Sequence, residues 1–271
     1  MMRGHLRKIF YEVRVPVLLF ACSLAVIMAL LTALLPKVLG DLDKLFDSIP
    51  FIKPLITALL GVDPGDGFTG QMMQAFLWVH PTVLAIIWAH ELMYCSRVPA
   101  GEIDRGTVDF LLGLPTSRWK LYVAETVGWI GSGVFVLCVG WVGHLISSQW
   151  LEPDMLPGAF ATFSVVANLF TVYLAVGAIT FFVSANSDRR GRSIGVVFGI
   201  LVFSFLLNFA AQFWDPVKSI SFLSVMEYYQ PAKIIEANAF PWRNVGVLLC
   251  VAIVMWTAGG VVFRRRSICT V

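Results

Sequence analysis

Six stretches of this chain, 15–36, 67–90, 126–151, 155–187, 193–214 and 244–263, contain no Asp, Glu, Lys or Arg, and each is 20 residues or longer. This feature leaves few folds open. About 20 apolar residues wound as a helix cross a hydrocarbon core of about 30 Å. With no water to bond a free peptide group there, the backbone must satisfy itself, so spanning segments are helical. The chain is 58% hydrophobic and 14% charged, too few charges to cover a water-facing surface of this length. Turn residues refine the limits. The third span begins near Trp119 and tolerates Glu125, and the fourth is bounded by Pro157 and Ser184. The expectation is an all-α integral membrane protein, one transmembrane domain over 1–271, with spans at about 15–36, 68–91, 119–148, 158–184, 193–214 and 243–263. The run Val15 to Pro36 is too long for a signal-peptide core and no A-x-A site follows it, so it is expected to stay as the first span.

Orientation follows from the loops. Arg3, Arg7, Lys8 and Arg14 precede span one, and Arg97, Arg105, Arg118 and Lys120 follow span two. Arg189, Arg190 and Arg192 follow span four, and Arg264, Arg265 and Arg266 follow span six. Fourteen of the 20 basic residues thus fall on one side. The alternate loops hold Lys37, Lys44, Lys53, Lys218, Lys233 and Arg243. By the positive-inside rule both termini are cytoplasmic. Trp150, Trp214 and Trp242 then lie at the outer interface and Trp119 at the inner one.

Three segments outside the spans read as amphipathic. Leu6, Ile9, Phe10 and Val13 share one helical face, which suggests an interfacial elbow helix whose basic residues reach lipid phosphate. Leu42, Leu45, Phe46 and Ile49, then Ile52, Leu55, Ile56, Leu59 and Leu60, recur at helical spacing in 42–60. Phe222, Leu223, Val225, Met226, Ile234 and Ile235 do the same around Pro231. Both are expected to form short outer interfacial or re-entrant helices.

Side-chain chemistry inside the spans is sparse. The five cysteines are scattered without a CxxC, so no disulfide framework or metal site is indicated. His90 and Glu91 lack the second histidine of a zinc-protease HExxH. Glu91 is expected to be solvated or paired with Arg97, and His144 to sit at the outer interface. Gly128, Gly131, Gly133, Gly140 and Gly143 are expected to let helices approach closely. His80, Asn168 and Asn208 are candidates for a transport path or for bonds between helices. No residue is assigned a catalytic role.

The segment GEIDRGTVDFLLGLPTSR, 101–118, is polar and charged between two apolar runs. Gly106 permits a sharp turn, Thr107 suits an N-cap, and Asp109 lies where a helix dipole favours a negative charge. Val108, Leu111 and Leu112 give one apolar side, and Pro115 ends the helix. Thr116 or Ser117 can cap the next. The product is a short helix joined stiffly to spans two and three.

The pattern E-x-x-x-G-T-x-x-x-L-L-x-x-P-x-S-R, carried by Glu102, Gly106, Thr107, Leu111, Leu112, Pro115, Ser117 and Arg118, resembles the signature of ABC-2 type transporter permeases. The tail Phe263-Arg264-Arg265-Arg266-Ser267 is similar to that family's F-x-R-R-D, with Ser267 in place of Asp, and Glu125 stands where the family often has Lys. The resemblance implies a membrane-spanning subunit of an ATP-driven exporter. Its cytoplasmic coupling helix, with Glu102, Gly106, Thr107, Asp109, Leu111, Leu112, Pro115, Ser117 and Arg118, would dock on a separate nucleotide-binding subunit. Glu102 and Arg118 are expected as its polar contacts, Leu111 and Leu112 as its apolar ones. No Walker A motif GxxxxGK[ST] occurs, so ATP and Mg would be held by the partner ATPase. A second permease copy or homologue completes a dimer, homodimer or heterodimer. Asp188, Arg189, Arg190 and Arg192 offer either a topology signal alone or a second ATPase contact. Competing readings are an intramembrane enzyme, which needs ionisable residues clustered at one depth, and a structural membrane subunit without a transport path.

Overall fold

The computed structural model describes residues 2–39, 70–113 and 115–268. The expected outer helices in 42–60 lie outside the described residues, as do Cys269 and the side chains of Arg3 and Lys37. Every regular element among the described residues is helical. Six helical stretches are long and apolar enough to cross a membrane: Gly4–Leu35, Gly70–Cys95, Arg118–Ser148, Pro153–Ala185, Arg190–Ala211 and Trp242–Arg265.

Helix α1 runs unbroken over Met2–Leu39. The expected separate elbow helix is therefore absent as a distinct element, and residues 2–14 are the first turns of the span-one helix. The reason is visible in its buried face. Ile9, Val13, Val17, Ala21, Leu24 and Met28 form one continuous stripe at the three- and four-residue steps of a helix, and α1 lies along α6 (Arg118–Ser148) for much of its length.

Span two is two helices, α2 (Gly70–Val79) and α3 (Pro81–Cys95), broken at His80. Pro81 cannot continue a helix hydrogen-bond ladder but suits the first helical position. The His80 ring then caps α3 by accepting from the Thr82 N–H at 3.3 Å. The reversal after α3 holds two short helices, α4 (Glu102–Asp104) and α5 (Val108–Leu112). Beyond α6 come α7 (Ala159–Ala185), α8 (Arg190–Ala211), α9 (Asp215–Lys218), α10 (Pro231–Ala237) and α11 (Trp242–Arg265).

Helix α7 is the centre of the bundle, in contact with α3, α8, α10 and α11. Of the most apolar stretch of its span 67% is buried, against 28% for those of α1, α8 and α11. A helix enclosed on all sides needs no polar face, which explains the uniform apolarity of 155–187.

Close packing uses glycine where expected at two positions especially. A Cβ on Gly143 would lie 2.3 Å from the Ala25 carbonyl oxygen of α1, and one on Gly133 would lie 2.3 Å from the Tyr173 ring of α7. Gly131 departs from the expectation, since a Cβ there meets nothing within 4 Å.

The segment between α8 and α11 folds back on the bundle. Met226, Tyr229, Ile234 and Ile235 are buried, and the Tyr229 hydroxyl donates to the Trp78 carbonyl at 3.1 Å. The Ser204 hydroxyl accepts from the Val225 N–H at 2.7 Å. Irregular backbone persists here because protein groups satisfy it.

Candidate functional site

The reversal that joins α3 to α6 combines tight turns with internal polar bonds. A wide turn over Arg97–Gly101, with a cis Val98–Pro99 peptide, leads into α4. Gly106 has φ of 68°, a conformation that costs glycine nothing and other residues strain, and it turns the chain into α5. Ser117 caps α6, its hydroxyl accepting from the Lys120 N–H at 3.4 Å. Thr107 occupies the N-cap of α5, but its hydroxyl makes no cap bond and donates instead to Glu102 Oε2. Arg105 Nη2 donates to Glu102 Oε1 at 2.7 Å. Glu102, 6% exposed, therefore uses both oxygens inside the turn.

This geometry redistributes the expected contacts. Glu102 and Leu111 face inward, the latter 4% exposed, and Leu112 packs against the core. Arg118 also turns in, donating to the Phe263 and Arg266 carbonyls at the end of α11. In their place Phe110 stands 83% exposed, and Asp104, Arg105, Asp109, Gly113 and Pro115 are exposed around it. Helix α5 has only five residues, so burying Val108 and Leu111, three apart on one side, necessarily turns Asp109 and Phe110 outward. A cleft of about 450 Å³ separates this face from the start of α1, with Lys8, Glu12, Arg105 and Phe110 among its walls.

Behind α5 lies an ion network that sequence reading missed. Arg97, 9% exposed, forms ion pairs with Glu12 of α1 and Glu125 of α6. His5 Nε2 lies 3.1 Å from the other Glu125 oxygen, and Lys8 lies 3.6 Å from Glu12. Burial works against the Arg97 charge, but the ion pair and hydrogen bond with Glu125, together with the nearby Tyr94 and Glu12, leave the Arg97 pKa raised. Glu125 is thus an internal partner. The expected Glu91–Arg97 pair does not form: six residues apart at the end of a helix, the two side chains leave on different sides, and Arg97 pairs with α1 and α6 instead.

Other basic residues close helix ends, where free carbonyls and the helix dipole favour cations. Arg190 donates to the Met93 carbonyl at 2.7 Å and to the Ser96 hydroxyl at 3.2 Å, and its backbone N–H donates to Asp104 at 3.3 Å. Arg266 donates to the Ala185 carbonyl at 2.9 Å and pairs with Asp188. The reversal between α3 and α6, the turn before α8 and the tail are therefore tied together. Arg189 and Arg192 remain exposed.

The remaining polar candidates do not converge. Glu91 is fully buried, facing the Gly177 backbone without a hydrogen bond of ordinary geometry. His90 is also buried, with its Nδ1 3.3 Å from the Tyr173 hydroxyl. His144 is buried, its Nδ1 2.9 Å from the Thr32 hydroxyl on α1. Asn168 bonds within its own helix, to Thr171 at 3.4 Å, and Asn208 lines a small cleft with Phe209 and Tyr229. Among the described residues no group of three or more His, Cys, Asp or Glu could hold a metal ion.

Six apolar helices joined by this braced reversal define a multi-pass membrane protein. A family model described as ABC-2 family transporter protein matches residues 92–268, well over half of the chain and including the whole reversal. The chain belongs to the ABC-2 transporter family and is a transmembrane permease. The family associates in general with an ABC ATPase subunit. No individual curated protein matches the chain.

Proposed function

We propose that this chain is the membrane subunit of an ATP-driven exporter in a bacterial inner membrane, with both termini cytoplasmic and a second permease copy or homologue beside it. ATP and Mg bind a separate ATPase that docks on the coupling segment 101–118. The carrying observation is Phe110. An aromatic ring 83% exposed at the water-facing end of a membrane protein, beside a cleft and ringed by charges, has the makeup of an interface anchor. Asp104, Arg105 and Asp109 supply the polar rim, while Glu102, Thr107 and Arg118 hold the segment rigid.

The mechanism follows from that rigidity. ATP closes the partner ATPase dimer and displaces α5. Since α5 packs Leu111 and Leu112 on the core, and its segment is tied by Asp104 to the turn before α8 and by Arg118 to the end of α11, the displacement passes into the bundle instead of dissipating in a loop. ATP can bias the permease only if α5 contacts the ATPase differently in the two states. The test is purification of the tagged chain from native membranes in mild detergent. The expected result is co-purification of a Walker A ATPase whose hydrolysis depends on the permease. Its absence across several gentle extractions would remove the basis for an ATP-driven cycle.

A further inference from the structure

Gly131 is exposed on α6 and a Cβ there would meet open space, because it borders a groove of about 540 Å³ between α1 and α6. Val13, Val17 and Leu18 line the α1 side, and Gly128, Gly131 and Phe135 the α6 side. Besides Arg14 and Ser132, whose hydroxyl donates to the Trp129 carbonyl, one polar group is embedded in this apolar lining. Tyr94 is 1% exposed and its hydroxyl has no hydrogen-bond partner. That hydroxyl occupies a notch left by Gly128, where a Cβ would lie only 2.2 Å from it.

Lining and charge identify the occupant. Along α1 the groove runs from Leu6 past Arg14 to Leu18, into the apolar run that begins at Val15. Its walls there are apolar side chains and glycines, the surface an acyl chain packs against. The charge beside it is positive. Arg14 lines the groove, and the guanidinium carbons of Arg7 and Arg14 lie 5.7 and 5.0 Å from the one Tyr11 ring. Neither arginine has a carboxylate partner among the described residues. Arg14 is also the last charge before the apolar run 15–36, the depth at which phosphate groups begin.

We infer that the groove between α1 and α6 binds one anionic phospholipid, with an acyl chain against Val13, Val17, Gly131 and Phe135 and its phosphate held by Arg7 and Arg14. The bound chain packs where α1 and α6 leave a gap, just beside the Arg97 network that joins these helices. Lipid in the groove therefore completes the contact between the first span and the arm that carries α5.

The test needs neither ATPase nor transport, so its outcome is independent of what drives the permease. The purified chain is examined by native mass spectrometry for retained phospholipid. It is then titrated with phosphatidylglycerol or phosphatidylcholine while thermal unfolding is followed. The wild-type chain is expected to retain one anionic phospholipid and to bind phosphatidylglycerol about tenfold more tightly than phosphatidylcholine. Gly131→Leu, which fills the groove without a clash, should lower retention about tenfold and leave the lipid-free unfolding temperature unchanged. Arg7→Gln with Arg14→Gln should keep the fold and abolish the preference for phosphatidylglycerol. Wild-type retention in Gly131→Leu, or an intact preference in the arginine variant, would overturn the inference. So would conversion of a dimer to a monomer by Gly131→Leu at unchanged lipid content, which would assign the groove to a second copy. If Gly131→Leu yields no folded protein, the arginine variant decides alone.

Discussion

Glu102 and Phe110 lie in one reversal between two spans, yet they have opposite fates. The carboxylate is 6% exposed and the phenyl ring 83%, the reverse of what each would do on an ordinary soluble surface. The difference shows how a membrane protein uses the few polar groups at its water-facing end. There the chain must reverse between long helices, satisfy their free peptide groups and resist bending. Glu102, Arg97, Arg118, Arg190 and Arg266 meet those needs from the inside. With the charges turned inward, the exposed side of α5 is left to an aromatic ring, the kind of group that supplies most of the energy at protein interfaces.

Breaking the inward set should have the largest effect. Arg97→Ala leaves Glu125, its side chain 3% exposed, without its main counter-charge. Removing one partner of a buried pair costs about 3–5 kcal/mol, so size-exclusion profiles and thermal unfolding in detergent should show loss of most folded chain. Breaking the outward side should leave the fold alone. Phe110→Asp is expected to cost at least about 2 kcal/mol of ATPase binding, about 30-fold in affinity, at an unchanged unfolding temperature. Co-purification yields measure the first quantity and differential scanning fluorimetry the second.

Two smaller effects sharpen the contrast. Glu102→Ala removes the acceptor for Thr107 and Arg105 and should destabilise the reversal by about 1–3 kcal/mol. Here the unfolding temperature falls together with ATPase binding, whereas Phe110→Asp affects binding alone. Asp188→Asn should be the mildest change. Its carboxylate is 71% exposed, exposed pairs contribute under about 1 kcal/mol, and Arg266 keeps its bonds to the Ala185 and Ser187 carbonyls. A shift that disappears in high salt is the expected signature.

The spans were legible because length and apolarity are local properties that a membrane reads directly. The turn at Gly106 and the cap at Ser117, one of the two candidates there, were legible for a similar reason, since each follows from the backbone chemistry of a single residue, whereas α5 already ends at Leu112, before Pro115. The inward or outward direction of α5 was harder to read. A five-residue helix is too short for a hydrophobic period to declare itself, and Leu111 and Phe110 compete for the same apolar label. One clue was present, as Phe110 lies off the side shared by Val108 and Leu111. The Arg97 network was not legible because its partners, Glu12 and Glu125, lie 85 and 28 residues away. A sequence shows charges but not which helices will meet. Glu91 looked like the natural partner of Arg97 because it is near in sequence, but six residues along a helix are about one and two-thirds turns, which puts the two side chains on different sides. The continuity of α1 was missed because an amphipathic start suggested a lipid surface, whereas the same stripe packs on α6.

The most direct measurement is photo-crosslinking from single positions of the coupling segment in native membranes. A benzoylphenylalanine is placed at position 110 or at position 111, and the adducts are identified by mass spectrometry. The account predicts that position 110 captures a Walker A ATPase and that position 111, buried in the bundle, captures only this chain. An ATPase adduct from position 111 with none from position 110 would contradict it, and the docking face would then lie on the side of α5 that the structure turns inward.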